Sequence, residues 1–389
     1  MYLTKEEERI LEGEMGWAYQ TAMKVLVKLG ELFGATRLIP VRSAHISGVS
    51  YKTIGDAPAE FLEEIVKAGG VAQVESTINP AGFDPEHVDE MPIPEEFRFK
   101  QSRIINLYKK MKIEPTLTCT PYYIRRPEAG SHLAWAESSA VVYANSVLKA
   151  WTNREGGPSA LAAALIGKTP DYGMHRAENR QAEVSVKVEP ELKGEMEFGA
   201  LGIYAGNVLK GRVPYFTGLR SPTERDLKQL GAALASTGMN SIFQYGAEHK
   251  KELEKITVEE ADLKKVVEEL STASEEPDMV FMGCPHCSLE EIKNIARLIG
   301  KRKVKEGVKL WVCTSRYVRE RAKAYVRMIE AAGGHVLCDT CAVVTWLREL
   351  GVETLMTNSA KTAYYAPVLN KVGTILAPTS KCIDMACEL

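Results

Sequence analysis

The sequence predicts an α/β protein of several domains, built on doubly wound parallel sheets. Three observations carry that expectation. From about residue 276, short apolar runs rich in β-branched residues alternate with longer stretches of helical periodicity. A chain of 389 residues is long enough for two or three domains with cores of their own. Its 45% hydrophobic and 26% charged residues are the ordinary balance of a globular protein.

Taken in order, residues 1–16 (MYLTKEEERILEGEMG) read as a charged amphipathic helix without the apolar centre of a secretion signal. WAYQTAMKVLVKLGELFG (17–34) has helical apolar spacing and leads through the strand-like TRLIPV to the polar loop 43–48. The Pro-rich, acidic stretch 78–97 predicts a loop. Residues 134–150 predict one helix running into the loop 152–158, TNREGGP. AEVSVKVEPEL (182–192) alternates as a strand does. SPTERDLKQLGAALASTG (221–238) predicts a crossover helix, with Ser221 as N-cap, Pro222 at the first helical position and Glu224 closing a capping box, followed by a strand over 240–246. The clearest alternation follows: strand 277–283, helix 288–300, strand 308–314, helix 316–334, strand 335–340, and a further unit opening at 345–351. Expected domains are 1–115, 116–275 and 276–389. Ligands of such sheets sit beyond the carboxyl ends of the strands.

A formal net charge of −2 argues against a nucleic-acid or membrane-surface partner. No apolar run approaches the roughly 18 residues of a membrane span, so a soluble, cytoplasmic protein is expected. Ile166-Gly167-Lys168-Thr169 echoes the end of a phosphate loop, but Ala162 stands where that loop needs its first glycine.

Six of the eight cysteines lie after residue 283. In a large intracellular chain these do not suggest a disulfide scaffold. Cys284-Pro285-His286-Cys287 follows an apolar strand. A redox dithiol needs its first cysteine at a helix N-terminus, whereas Ser288 and Glu291 make a capping box that starts the helix after both thiols. Cys338-Asp339-Thr340-Cys341 repeats the spacing, but a whole βαβαβ pattern separates the two pairs, unlike a small zinc module. An iron–sulfur cluster held by strand-end loops fits the pattern best. On spacing alone, inert buried thiols remain an equal alternative.

Longer blocks say more. SAHISGVSY (43–51), TCTPY (118–122), ESSAVVYANSVLKAWTNREGGP (137–158), GKTPDYG (167–173), GCPH (283–286), DTCAVV (339–344) and TNSAKTAYYAP (357–367) together resemble the aconitase X family. The resemblance implies an aconitase-like core with a central iron–sulfur cluster, most simply [4Fe-4S] and also seen as [3Fe-4S]. It implies that the swivel domain, absent from a chain of this length, comes as a separate small subunit. Archaeal members of this kind dehydrate (R)-mevalonate 5-phosphate to trans-anhydromevalonate 5-phosphate in the mevalonate pathway of isoprenoid biosynthesis. The substrate expected here is thus a phosphorylated hydroxy acid. Bacterial relatives dehydrate cis-3-hydroxy-L-proline, which is the first alternative. A thiol–disulfide oxidoreductase built on CPHC and a cluster-binding scaffold without catalysis are alternatives from other classes.

Carried onto the matching motifs, the resemblance implies Cys119, Cys284 and Cys341 as cluster ligands, with Cys338 competing with Cys341. His45, Ser47, Glu137 and Lys361 are the candidate catalytic residues. Asn145, Asn153, Arg154, Glu155 and Ser359 are the candidate substrate-binding residues. Arg154 offers a fork-shaped cation beside a glycine-rich backbone, and Lys361 an ammonium beyond a strand. Glu137 and Asn145, eight residues apart, are expected to converge on one helix face. Each has a plain structural alternative: a solvated arginine, a helix-capping serine, a buried histidine. The catalytic base is expected here or on the small subunit.

Overall fold

In a parallel sheet every strand ends at the same edge, and two such edges organise this chain. The computed structural model describes residues 1–91, 93–247, 252–274 and 276–388. Pro92 in the predicted loop, Glu275 at the second expected boundary and Leu389 lie outside them. The chain divides into two compact units, Met1–Ala81 with Pro94–Gln181 and Gly82–Ile93 with Ala182–Leu389.

The first unit holds a three-stranded parallel sheet in the order Glu75–Ile78, Ser43–Ile46, Ala134–Trp135. The helices Trp17–Leu32, Asp56–Lys67, Glu95–Lys110 and Gly157–Ile166 pack around it on a core that includes Met23, Leu26, Ile65, Ile104 and Leu161. Residues 134–150 do not form one helix. Ala134 and Trp135 pair with Ala44 and His45 as an edge strand, and Glu137 caps the shorter helix Ser138–Ser146 by accepting from the Ser139 amide. Sheet pairing overrides helical spacing here because both faces of the segment are buried, which leaves no amphipathic pattern to read.

The second unit contains two parallel sheets. One has the order Gln244–Tyr245, Pro214–Thr217, Val184–Val188, Glu254–Val258. The other has the order His335–Leu337, Lys309–Thr314, Met279–Cys287, Thr354–Thr357, Gly373–Leu376. The predicted alternation from residue 276 is thus realised as a five-stranded doubly wound sheet. Three local readings change. The crossover helix is Glu224–Thr237, capped by Thr223 with Asp226, while Ser221 has a positive φ of 44° and stands before the cap. The strand expected over 240–246 shortens to Gln244–Tyr245. Residues 345–351, read as the opening of a further unit, form no helix or strand and end at Gly351 in the left-handed region.

The helices Glu195–Leu209 and Glu224–Thr237 cross closely because Gly202 and Gly206 carry no side chain at the contact. A Cβ on Gly202 would stand 2.5 Å from the Leu230 carbonyl oxygen and 2.7 Å from the Ala233 Cβ. Gly→Ala within a helix ordinarily gains about 1 kcal/mol. At this crossing the sign reverses: Gly202→Ala is expected to destabilise the protein by about 1–3 kcal/mol, read as a lowered midpoint of denaturant unfolding.

Candidate active site

The strand ends of the first unit gather most of its candidate residues. His45 is the third residue of the central strand, and the Ala136 amide donates to its carbonyl at 2.8 Å. Asn79 leaves the neighbouring strand, its amide donating to the Ile46 carbonyl at 2.9 Å. The Thr118 amide donates to the Ile78 carbonyl at 3.2 Å, which sets buried Cys119 at the same edge. The Glu155 amide donates to the Trp135 carbonyl at 3.1 Å and brings in the NREGG loop. Gly157 is needed there, since a Cβ would meet the Ser47 carbonyl oxygen at 2.6 Å.

The polar groups at this edge form a chain. Asn79 donates through Nδ2 to Glu137 Oε2 at 2.7 Å, so its Oδ1 faces His45 Nε2 at 3.3 Å. His45 Nε2 therefore carries the proton, and Nδ1 accepts from the Thr77 hydroxyl at 2.7 Å. Glu137 Oε1 accepts from the Ser139 hydroxyl at 2.9 Å and from the Ser139 amide at 3.3 Å. His45 is completely buried, and desolvation lowers its pKa to about 4 against the opposing pull of Glu137. A neutral imidazole with both nitrogens engaged positions Asn79. It is a buried histidine with both ring nitrogens occupied by neighbouring side chains. Ser47 is half-buried, and its hydroxyl makes no hydrogen bond among the described residues.

The NREGG loop presents Arg154 by fixing its neighbours. Asn153 donates to the Tyr172 carbonyl at 3.1 Å and accepts from the Met174 amide at 2.7 Å. Buried Glu155 accepts from the hydroxyls of Thr169 at 3.0 Å and Ser159 at 2.5 Å, which partly offset the rise in its pKa caused by desolvation. Arg154 between them is half-buried. Asn153 and Glu155 thus hold the loop rather than project from it. Asn145 and Glu137 engage different residues. Its amide brackets Thr152 in both directions at 2.9 and 3.0 Å and accepts from Arg180 at 2.9 Å. Its partners are Thr152 and Arg180, and it serves as a structural brace.

In the second unit the ends of the five-stranded sheet collect four candidates. The strand Met279–Cys287 runs through the whole CPHC stretch, with a cis peptide bond between Cys284 and Pro285. Its polar backbone is held from several elements. The Ser359 hydroxyl donates to the Cys284 carbonyl, the Thr314 hydroxyl to the Cys287 carbonyl at 2.6 Å, and the Lys228 ammonium to the His286 carbonyl at 3.1 Å. Fully buried Lys228 also pairs with Glu291 at 2.6 Å. His286 Nε2 donates to the Thr340 carbonyl at 2.9 Å, tying the CPHC stretch to the Cys338–Cys341 turn. Ser359 caps the helix Ala360–Asn370, so its hydroxyl is occupied on both sides rather than open to substrate.

Cys284 and Cys341 lie close enough at this edge for the charge of one to act on the other. Burial raises the Cys341 thiol to about 12 and Cys284 adds to the rise, while the amides of Val343 and Val344 and the Lys361 ammonium oppose it. The two amides and the cation only partly offset burial, so without a bound group the thiol is held protonated. Buried Thr340 Oγ1, Asn358 Oδ1 and Thr362 Oγ1, near in sequence to Cys341 and Lys361, have no hydrogen-bond partner among the described residues. These features fit a bound polar group. Cys338 lies instead beside Asp339, Asp84 and Arg316, which favours Cys341 in the motif. Among the described residues no group of three or more His, Cys, Asp or Glu side chains is arranged to hold a metal ion. The dithiol alternative fails on position. Both CPHC cysteines precede the helix Leu289–Ile299, and burial, rather than a helix dipole, governs Cys287, pushing its pKa up.

Most of the chain matches domain models of a single family: the aconitase X first domain over residues 1–178, the second over 182–268 and the third over 277–388. The chain belongs to the aconitase X family. A crystal structure of aconitase X from Thermococcus kodakaraensis in its holo form superposes with a TM-score of 0.93 at 44% identity, covering 99% of this chain and 100% of that one. The phosphomevalonate dehydratase large subunit of Methanothermobacter thermautotrophicus is 48% identical over 378 residues, 94% of each chain. The cis-3-hydroxy-L-proline dehydratase of Pseudomonas aeruginosa is 32% identical, and the match spans 98% of this chain but 69% of that protein. Among the described residues of this aconitase X chain, no helix is long and apolar enough to cross a membrane.

Asn79 and Lys228 escaped the sequence reading. The end of the strand preceding Asn79 was the available signal; nothing local marks Lys228. The depressed pKa of His45 carries a pH consequence. The folded state binds its proton less tightly than the unfolded chain, so this contribution to stability is complete above about 6.5 and is lost as pH falls towards about 4. His45→Gln is expected to remove up to about 3 kcal/mol of acid sensitivity, seen as a flatter dependence of unfolding free energy on pH between 4 and 6.5.

Proposed function

We propose that this chain is the large, catalytic subunit of a hydro-lyase that dehydrates (R)-mevalonate 5-phosphate to trans-anhydromevalonate 5-phosphate. The observation that carries the chemistry is the placing of buried Cys284 and Cys341, with buried Lys361, at the ligand-binding edge of a parallel sheet. The substrate follows from 48% identity to a phosphomevalonate dehydratase large subunit, against 32% to a cis-3-hydroxy-L-proline dehydratase. A phosphorylated hydroxy acid is the substrate class. The partner is a small subunit bearing the swivel domain, and the setting is the cytoplasm.

The resident cofactor proposed is an iron–sulfur cluster, [4Fe-4S] in the active state, with Cys119, Cys284 and Cys341 as its protein ligands. When bound it supplies Lewis acidity towards the departing hydroxyl. The remaining work falls to the chain's side chains. Glu137 is the proton acceptor proposed on this subunit: Asn79 and Ser139 orient its carboxylate, and neutral His45 holds Asn79. The Ser47 hydroxyl is the proposed hydrogen-bonding group for substrate oxygen. Arg154, whose loop is locked by Asn153 and Glu155, and Lys361 are the proposed cations for carboxylate and phosphate. Ser359 and Asn145 act through the backbone they hold.

Anaerobic co-production with the small subunit tests the proposal. The brown, iron- and sulfide-containing complex should turn over (R)-mevalonate 5-phosphate in preference to cis-3-hydroxy-L-proline. A colourless protein after reconstitution, or the reverse preference, sinks it. Replacing Cys119, Cys284 or Cys341 by Ala should remove bound iron, whereas Cys287→Ala should retain it. Glu137→Gln should keep the cluster spectrum and lower kcat by roughly 10²- to 10⁴-fold.

A further inference from the structure

The segment Gly82–Ile93 is flanked by residues of the first unit, yet belongs by its contacts to the second. Its Asp84 is completely buried, although a lone carboxylate is among the costliest groups to bury. Four donors converge on it. Oδ2 accepts from the Cys338 amide at 2.7 Å and faces His87 Nδ1 at 2.9 Å; Oδ1 accepts from Arg316 Nη2 at 2.9 Å and from the Glu86 amide at 3.0 Å. Arg316, at the start of the helix Arg316–Arg321, also donates through Nε to Asp339 Oδ2 at 2.7 Å and pairs with Glu86. None of these residues has a part in the chemistry proposed above.

All of them act on one four-residue turn. Asp339 has a φ of +63°, in the left-handed region that a residue with a Cβ enters only when its surroundings enforce it. Three consecutive residues are pinned: Cys338 through its amide by Asp84, Asp339 through its carboxylate by Arg316, and Thr340 through its carbonyl by His286. The next residue is Cys341. We propose that Asp84 and Arg316 are positioning residues that fix the Cys338–Cys341 turn and thereby aim the Cys341 sulfur at its ligand position. The fixing of the turn stands on these hydrogen bonds alone, while its purpose rests on the reading of Cys341 as a cluster ligand. A segment delivered from the amino-terminal part of the chain thus builds the ligand turn of the carboxy-terminal sheet.

The test uses the full chain, anaerobic and metal-free, as wild type, Asp84→Ala, Asp84→Asn, Arg316→Lys and Glu90→Gln. The last removes the 3.3 Å His335–Glu90 pair from the same segment and serves as control. Two readings are local: hydrogen exchange of the 338–344 amides, and mass-resolved alkylation of Cys341. Asp84→Ala and Arg316→Lys should speed both by about tenfold or more, as expected for loss of charge-assisted hydrogen bonds at a local opening. Asp84→Asn keeps one acceptor for the Cys338 amide and should show a smaller rise, while Glu90→Gln should match wild type. If Asp84→Ala does not fold, Arg316→Lys and Asp84→Asn decide by the same readings. Exchange and alkylation within about twofold of wild type in the folded variants overturn the proposal. Reconstitution then separates the two ideas. Wild type that takes up iron while the variants take up less supports the aim of the sulfur, and equal iron uptake overturns it. Wild type that takes up none removes the cluster reading and leaves the exchange result to judge the turn.

Discussion

The direction of the strands is the constraint on which the rest depends. A right-handed crossover returns each strand parallel to the last, so every strand in a sheet delivers its following loop to the same edge. In the first unit this places residues 46–48, 79, 118–120, 136–137 and 155–157 together, although they span much of that unit's sequence. In the second unit it places the loops after Met279–Cys287, Lys309–Thr314, His335–Leu337 and Thr354–Thr357 together. Chemistry-bearing residues therefore need no proximity in sequence, only a place just beyond a strand.

Burial then sets a second demand. Polar groups at these edges are withdrawn from water, and each must find a partner inside the protein. Much of the polar apparatus consequently holds other polar groups. Thr77, His45, Asn79, Glu137 and Ser139 form one such chain, and Lys228, Glu291, His286 and Thr340 form another. Among the described residues some buried oxygens are left over, including Asp339 Oδ1, Thr340 Oγ1, Asn358 Oδ1 and Thr362 Oγ1, close in sequence to Cys341 and Lys361. Asn145, Asn153 and Glu155 illustrate the general case. Their residue types suit substrate recognition, and the fold uses their hydrogen-bonding capacity to shape the loop carrying Arg154.

The alternation of strand and helix after residue 276 was legible because each element there is long enough to show its own period, and the Ser288–Glu291 capping box was legible because it is local. The break at residue 134 was not, because a two-residue strand has no period of its own and a fully buried helix has no polar face. The cap of the crossover helix moved from Ser221 to Thr223 because either hydroxyl satisfies the local rule, and the chain enters the helix from a left-handed Ser221.

By itself the sequence determined the class of fold in the carboxy-terminal third and the family, since both rest on local pattern or on long motifs. The thiols of CPHC, read as following a strand, lie within it. Only the tertiary structure decided what each polar side chain is joined to. It set Cys341 close enough to Cys284 for the charge of one to act on the other and Cys338 beside Asp84, withdrew His45 into a neutral relay, and turned Ser359 onto the Cys284 carbonyl. A hydrogen bond between residues 84 and 338 has no counterpart in local sequence. It exists because folding brings a distant carboxylate to an amide that would otherwise be buried without a partner.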